Sequence, residues 1–223
     1  AFPRGNPERE FRVGLAESLR TQSLALGGGA NVSEREAQVS IIYGGRIRLR
    51  AVEREDVKKF FEWVNDPEVT FGLSLYLPMS MTDEEKWFER ISTRPPEEKP
   101  LAIEVHAGDD WRLIGNCTFF DIDHVARSAE FGIMIGDKSA WNHGLGTETV
   151  ELLLRHGFET LNLNRVFLKV YADNPRAKRA YEKAGFVHEG ALREAVFKRG
   201  KFENVLIMGI LRGEWEARKT ENP

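Results

Sequence analysis

The chain has 223 residues, 41% of them hydrophobic, which is enough for one domain with a sizeable core or for two small domains. Its net charge of −3 argues against a protein built to hold nucleic acid, because such proteins usually carry a basic face. No apolar run approaches the roughly 20 residues of a membrane-spanning helix. The single cysteine, Cys117, excludes an internal disulfide and suits a reducing compartment. We therefore expect a cytoplasmic protein that binds neither nucleic acid nor membrane.

Residues 1–40 differ from the rest of the chain. They contain two early prolines and a run of three glycines at 27–29, which is typical of a linker. We interpret this segment as an N-terminal arm of unknown role. The regular pattern of a folded domain covers residues 41–215, and residues 216–223 are expected to form a short C-terminal tail.

From residue 41 onward, alternating polar and apolar residues predict strands, and apolar residues three or four apart predict helices. The resulting order, β-α-α-β-β-β-α-β-α-β-β, indicates a mixed α/β domain. In chain order, we predict a strand at 46–52, helices at 53–66 and 82–92, strands at 101–107, 112–122 and 128–136, a helix at 147–161, a strand at 165–172, a helix at 174–186, and a final hairpin at 189–211 that turns near 199–200.

The segment WNHGLGTET, residues 141–149, places two glycines between a predicted strand and the predicted helix that follows it. The N-terminus of a helix has unpaired N–H groups and a partial positive charge, so it attracts phosphate. Gly144 and Gly146 would let those N–H groups approach a ligand closely. An ordinary turn with two convenient glycines would show the same local pattern. We call residues 141–147 the glycine loop.

The wider context of this loop resembles the GCN5-related N-acetyltransferases (GNAT). The phosphate-binding motif of that family, Arg/Gln-x-x-Gly-x-Gly/Ala, has its counterpart at residues 141–146, with Trp141 as a departure in the first place. Trp141, followed by Thr147 and Glu148, resembles the branch that acetylates the N-termini of ribosomal proteins. The strands and the final hairpin also resemble the neighbouring spermidine acetyltransferases, over residues 41–215.

The helix predicted at 174–186 carries a second motif. It reads N-P-x-A-x-x-x-Y-x-K-x-G-F and resembles the family pattern N-x-x-S-x-x-x-Y-x-K-x-G-F. Ala177 stands in the place of the serine, which removes one hydroxyl contact. Independently of the resemblance, Asn174 is a good N-cap and Gly185 a good stop signal for this helix.

The resemblance implies a mixed, mostly antiparallel central sheet that splays into a V and is flanked by helices. It also implies acetyl-coenzyme A as co-substrate, with its pyrophosphate on the loop amides and its pantetheine along the splayed strand. No metal is implied, and the histidines and carboxylates show no metal-ligand spacing. The implied binding residues are Asn142, His143, Gly144, Leu145, Gly146 and Thr147 in the loop, Ile133, Met134 and Ile135 in the strand, and Asn174 across the slot.

The implied chemistry is direct attack of a primary amine on the thioester carbonyl. Such an amine has a pKa of about 10, so a base must take its proton. Tyr181 matches the general acid of the family, although a core aromatic would fit the same position. Glu130 is the candidate base, against the alternative of a solvated carboxylate at the start of a strand. His124 and a water chain are further candidates. Lys169 occupies the place where some relatives carry a glutamate.

The sequence leaves the acceptor open. The first two helices are rich in carboxylates, which would attract a cationic amine or a basic peptide, but interleaved lysines also make them an ordinary solvated surface. Three classes of acceptor stay open: a protein N-terminus, a polyamine and a small amino compound. A non-catalytic acyl-coenzyme A-binding or structural protein of the same fold is the alternative to an enzyme. The edge of the hairpin could support a homodimer, which the sequence does not decide.

Overall fold

The computed structural model describes residues 41–221. The predicted N-terminal arm, residues 1–40, lies outside the described residues, as do residues 222 and 223 of the predicted tail. The described part begins with a two-residue strand and ends with a helix, neither of which the sequence patterns indicated. Between them, the predicted order of helices and strands is confirmed.

The described strands and helices are numbered here in chain order. The strands are β1 (Ile42–Tyr43), β2 (Ile47–Ala51), β3 (Leu101–Ala107), β4 (Asp110–Asp123), β5 (Ser128–Ile135), β6 (Arg165–Tyr171), β7 (Val187–Lys198) and β8 (Lys201–Leu211). The helices are α1 (Val57–Val64), α2 (Met81–Ser92), α3 (Leu145–Arg155), α4 (Pro175–Lys183) and α5 (Arg212–Glu221). Helix α5 runs through residue 215, where the sequence analysis placed the end of the domain.

The described strands form one sheet in the order β1-β2-β3-β4-β5-β6-β8-β7. Every neighbouring pair is antiparallel except β5 and β6, which run parallel. These two strands pair at three positions, the last of which joins Glu130 to Phe167. Beyond it they diverge, and the sheet opens into a V. The predicted fold class is confirmed.

Helix α3 covers one face of the sheet with the apolar stripe that its 3.6-residue period predicted. Val150, Leu153 and Leu154 are each 1% exposed, and Phe158 in the π-helical turn that follows α3 is equally buried. Each such side chain contributes roughly 1.5–3 kcal/mol by leaving water. This burial fixes α3, and with it the glycine loop at its N-terminus, against the sheet.

A second, smaller cluster joins α1 to the end of β5. Phe60 and Trp63 of α1 pack with Met134, and Trp141 packs against them. Trp63 lies so close to Gly136 that a Cβ there would approach its ring to 2.0 Å. The strand that borders the V is therefore held from both faces of the sheet.

The final hairpin turns through Arg199 and Gly200, as predicted. Their φ angles are 52° and 79°, and two positive values in a two-residue loop match the twist of the flanking strands. The hairpin places β7 at the edge of the sheet and brings Lys198 back toward the opening of the V.

Candidate active site

A cavity of about 330 Å³ opens where β5 and β6 diverge. It is bordered by the end of β5, the glycine loop, α4, and the segment between α1 and α2. Most of the residues predicted to bind the co-substrate line it: Ile133, Met134, Ile135, Asn142, Gly144, Gly146, Thr147 and Asn174. Tyr181, the predicted acid, lines it as well.

Two predicted residues of the glycine loop do not line the cavity. Leu145 is 6% exposed and packs into the main core. His143 is exposed, and its backbone oxygen accepts a hydrogen bond from Nη1 of Arg46 at 3.1 Å. The buried side chain of Leu145 is therefore not available to a ligand, and the predicted contact of His143 stays a prediction.

The glycine loop presents a series of free backbone donors. Within residues 41–221, no protein acceptor takes the N–H groups of residues 142–147, and the first bond of α3 runs from Glu148 N to Gly144 O at 3.0 Å. Asn142 and Gly144 have φ angles of 64° and 79°. Left-handed residues alternating with others turn successive N–H groups to one side, which forms an anion-binding concavity. The helix dipole adds to its positive potential.

Gly146 provides open space rather than tight packing. A Cβ added there would meet no described protein atom within 4 Å, although the residue lines the cavity. The protein itself therefore does not require glycine at this position for packing. A ligand that approaches the backbone closely does require glycine there, because any side chain would stand between the ligand and the N–H groups.

Trp141, the departure from the family motif, joins the glycine loop to its surroundings. Its Nε1 donates to the backbone oxygen of Ile135 at 2.8 Å. The guanidinium carbon of Arg176 lies 3.8 Å from its ring centroid, in a cation–π contact. Arg176, Arg179 and Lys183 of α4 also line the cavity, so three cationic residues border the same cavity as the glycine loop.

Tyr181 sits in α4 with its ring packed against two phenylalanines. Its centroid lies 6.1 Å from that of Phe131 and 5.9 Å from that of Phe186. Burial raises the pKa of Tyr181 to about 12. The hydroxyl therefore carries its proton at neutral pH, as a proton donor must.

Glu130 does not line the cavity where the sequence prediction needed it. The residue is 7% exposed, and its Oε2 accepts a hydrogen bond from Lys169 Nζ at 2.7 Å. Lys169 lines the cavity instead. Glu130 is thus a buried, paired carboxylate and not a solvated one, and its role as base stays a prediction. His124 is exposed beside Glu97, away from the cavity.

Asn174 caps α4 as its sequence context predicted. Its Oδ1 accepts from the backbone N–H of Ala177 at 3.1 Å, and Pro175 opens the helix. Its amide nitrogen faces Gly72, where an added Cβ would lie only 2.7 Å away. Asn174 therefore both caps the helix and borders the cavity.

Sequence reasoning missed the residues on the opposite wall. Val69, Gly72 and Leu73, which lie between α1 and α2, line the cavity. Nothing in their local pattern marks them, because they form a short 3-10 turn and its flanks. The basic residues of α4 were missed as well, because the sequence gives no indication of the direction in which that helix face points.

Residues 41–221 lack two further features. No three side chains of the His, Cys, Asp and Glu types come together there as metal ligands. None of the described helices is both long and apolar enough to cross a bilayer.

Comparison with known proteins gives a family match. Residues 46–187 match the profile of the acetyltransferase (GNAT) domain. The chain is 28% identical to an uncharacterized N-acetyltransferase, p20, of Bacillus licheniformis, over 78% of this chain and 97% of that protein. It is 29% identical to a spermidine N(1)-acetyltransferase of Vibrio cholerae, over 76% of this chain and 95% of that protein.

A solved structure is similar over the same region. It is the spermidine N-acetyltransferase of Vibrio cholerae in complex with CoA and spermine. The TM-score is 0.70 at 28% identity, over 77% of this chain and 98% of that one.

Proposed function

Because the chain belongs to the acetyltransferase (GNAT) family, we propose that it acetylates a polyamine, with the glycine loop holding the acyl donor and Tyr181 donating a proton. The coarser activity is established by the family: the protein transfers an acetyl group from acetyl-coenzyme A to an amine. The polyamine is supported by the relative that acts on spermidine and by the similar structure that holds spermine.

The residues present fit the acyl donor. The free N–H groups of residues 142–147 would hold its diphosphate, and Arg176, Arg179 and Lys183 would add positive charge beside it. The open side of Gly146 leaves room for that approach. When bound, acetyl-coenzyme A supplies an acetyl group activated as a thioester.

The splayed strand would orient the reacting carbonyl. Beyond Glu130, the edge of β5 that faces β6 has no ladder partner in the described part of the chain, and Ile133 to Ile135 line the cavity. A backbone N–H on that edge would donate to the carbonyl oxygen and stabilise the charge that develops there. Such a donor is worth about 3 kcal/mol of transition-state stabilisation in comparable sites.

Tyr181 would complete the transfer by protonating sulfur. As the new C–N bond replaces the C–S bond, the leaving thiolate takes the proton of the phenol. The raised pKa keeps that proton in place until it is needed. The residue that takes the proton of the incoming ammonium is not assigned, because Glu130 is paired with Lys169.

One observation carries this proposal: six consecutive backbone N–H groups, at the open end of a splayed sheet, have no acceptor among residues 41–221. The test is titration with acetyl-coenzyme A, followed by thiol release across spermidine, α,ω-diamines, an amino sugar and a peptide with a free N-terminus. We expect release to be fastest with the polyamine. Tight binding without release for any amine would support the non-catalytic alternative. Fastest release with the peptide would show that the acceptor is a protein N-terminus and not a polyamine.

A cytosolic location belongs to the same proposal. Cys117 is the one cysteine of the chain and is fully buried in β4, so it has no disulfide partner within the chain. Burial also raises the pKa of its thiol, so it is an inert core group and not the nucleophile of an acyl-enzyme. A reducing compartment, where acetyl-coenzyme A is available, suits this arrangement.

A homodimer through β7 is also part of the proposal. This strand is an edge of the sheet, and it exposes Val187, Leu192 and Phe197. Exposed edge strands tend to pair with another chain unless they are protected. Light scattering on the full chain would test it, with a monomeric mass as the contradicting result.

A further inference from the structure

The ammonium group of Lys198 lies in an aromatic cage. Its Nζ is 4.0 Å from the ring centroid of Phe71 and 4.2 Å from that of Tyr171, and it donates to the backbone oxygen of Phe71. Oδ1 of Asp173 is 4.0 Å away. We call Phe71, Tyr171 and Asp173 the ammonium cage. The lysine reaches it from the end of β7, so the occupant comes from a different part of the chain than the cage.

The ammonium cage borders the cavity of the active site. Each of its three residues is the chain neighbour of a residue that lines the cavity: Gly72 follows Phe71, Val170 precedes Tyr171, and Asn174 follows Asp173. The cage lies at the end of β6, where the V is open. Tyr171 also lies two positions from Lys169 on β6, and residues two apart on a strand share a face, so this wall of the cage lies on the same face of the sheet as a residue that lines the cavity.

Lys198 fits the cage incompletely. The distance of 4.0 Å to Asp173 is longer than a hydrogen bond, and Oδ1 of Asp173 is buried without a hydrogen-bond partner in the described part of the chain. Burial lowers the pKa of Lys198, and the attraction of Asp173 only partly opposes that effect. The lysine loses hydration without a direct bond to the carboxylate in return, so a better-fitting cation can replace it.

Nearby charges do not remove this mismatch. The guanidinium carbon of Arg199 lies 4.5 Å from the Phe71 ring, and Tyr171 is bonded through its hydroxyl to Ser74 Oγ at 2.8 Å. Glu203 is engaged by Lys201. Arg199 therefore adds a second cation at the Phe71 ring, whereas Asp173 is the carboxylate beside the buried ammonium.

We propose that the ammonium cage binds the non-reacting ammonium group of a diamine or polyamine acceptor, and that Lys198 fills the cage until the acceptor displaces it. Aromatic faces and a carboxylate stabilise a protonated nitrogen, whereas the nitrogen that attacks the thioester must be neutral. The cage therefore holds the second nitrogen of the acceptor and not the attacking one. This inference rests on the proposed function, which it deepens by specifying an acceptor with two amino groups.

The kinetic test compares diamines with monoamines. Lys198→Met removes the competing cation and keeps the apolar stem, so kcat/KM for α,ω-diamines should rise about threefold to tenfold relative to alkylamines of equal length. Lys201→Met is the matched control, because it makes the same charge change on the same hairpin but its side chain is 66% exposed. An equal effect of both variants, or no change in the ratio, would overturn the proposal.

The complementary variant weakens the cage. Asp173→Asn keeps the shape and removes the charge, so the ratio of KM for a diamine to KM for the matching monoamine should rise about tenfold. Calorimetry with coenzyme A is the control, because a variant that has lost its fold would also lose its affinity for the coenzyme. An unchanged KM ratio with intact coenzyme binding would contradict the assignment.

A labelling test needs no turnover and so separates this inference from the proposed function. The full chain is treated with an amine-reactive ester, with and without N,N,N′,N′-tetramethyl-1,4-diaminobutane, which cannot itself be acylated. Occupation of the cage by the probe should expel Lys198 and raise its labelling, read by mass spectrometry, while labelling of Lys201 stays constant. Unchanged labelling of Lys198 would overturn the cage even if the protein acetylates polyamines. Raised labelling without turnover on any amine would retain the cage and reject the proposed function.

Discussion

Trp141 donates a hydrogen bond of 2.8 Å from its indole nitrogen to the backbone oxygen of Ile135, which joins the glycine loop to the end of the splayed strand. Arg176 of α4 stacks on the same ring at 3.8 Å. The tryptophan thus links the strand to the helix that borders the other side of the cavity. It fixes the position of the free amides relative to the slot.

Loss of this link is the first prediction. Trp141→Phe keeps an aromatic ring and removes the indole N–H, so the free energy of unfolding should fall by about 1 kcal/mol. Affinity for coenzyme A should fall by more than this change in stability explains, because the loop loses its fixed position. Urea unfolding and calorimetry measure the two quantities. Trp111→Phe, at a site far from the cavity lining, serves as control and should leave coenzyme affinity unchanged.

Gly146 allows stability and binding to be separated. Gly146→Ala adds a methyl group that meets no described protein atom, so stability should be unchanged or slightly higher, since alanine favours a helix over glycine by about 1 kcal/mol. The same methyl group should lower affinity for coenzyme A about tenfold by standing against its diphosphate. Gly146→Glu should abolish binding through bulk and negative charge. Normal affinity in both variants would show that the amides are not the diphosphate site.

Tyr181→Phe tests the proton donor. The substitution keeps the ring contacts with Phe131 and Phe186 and removes only the hydroxyl. We expect kcat to fall about a hundredfold or more, as for other general acids, with little change in the dissociation constant of acetyl-coenzyme A. Single-turnover thiol release measures the first quantity and calorimetry the second. Equal kcat for the two proteins would remove Tyr181 from the mechanism.

The pH dependence of kcat gives an independent check on Tyr181. Its pKa of about 12 lies above the ordinary value of a tyrosine, about 10, so the phenol stays protonated in alkaline buffer. The rate should therefore rise as the acceptor amine loses its proton, without a descending limb from Tyr181 below about pH 10. A descending limb centred near neutrality that disappears in Tyr181→Phe would refute this assignment of the pKa.

The ion pair of Glu130 and Lys169 leads to a prediction about stability. Glu130 is nearly buried, whereas the side chain of Lys169 is 48% exposed, so the pair should contribute about 1 kcal/mol, more than a surface pair and less than a buried one. A double-mutant cycle of Glu130→Gln and Lys169→Met measures this coupling in the free energy of unfolding. Additive effects of the two substitutions would show that the pair contributes nothing. Lys59 and Glu62, an exposed pair in α1, provide the reference cycle.

The local features of this site could be predicted from the sequence, and the long-range ones could not. The free amides follow from glycines at a strand–helix junction, and the cap of α4 follows from Asn174 and Pro175, because each depends on residues within a few positions. The contact of Lys198 with Phe71 joins residues 127 positions apart, and that of Glu130 with Lys169 joins residues 39 apart. The second contact depends on the register between two strands, and the first depends on how a loop packs against the hairpin; periodicity specifies neither.

The interpretation of Glu130 shows the same limit. Its position at the start of the splayed strand was inferred correctly, since it forms the last rung between β5 and β6. The direction of its side chain depends on Lys169, which lies on the neighbouring strand. A strand pattern gives the face on which a side chain lies but not the partner that it meets there.

β5 and β6 pair at three positions, fewer than any other two neighbouring strands of the described sheet except β1 and β2. Five strands lie on one side of this pair's junction and three on the other, so few backbone hydrogen bonds join the two parts of the sheet. A thioester bound between β5 and β6 would make some of the hydrogen bonds that the diverging strands do not make with each other. Binding of the co-substrate would then stiffen the sheet and prepare the enzyme for catalysis at the same time, whereas the sheet of the free enzyme would be more flexible.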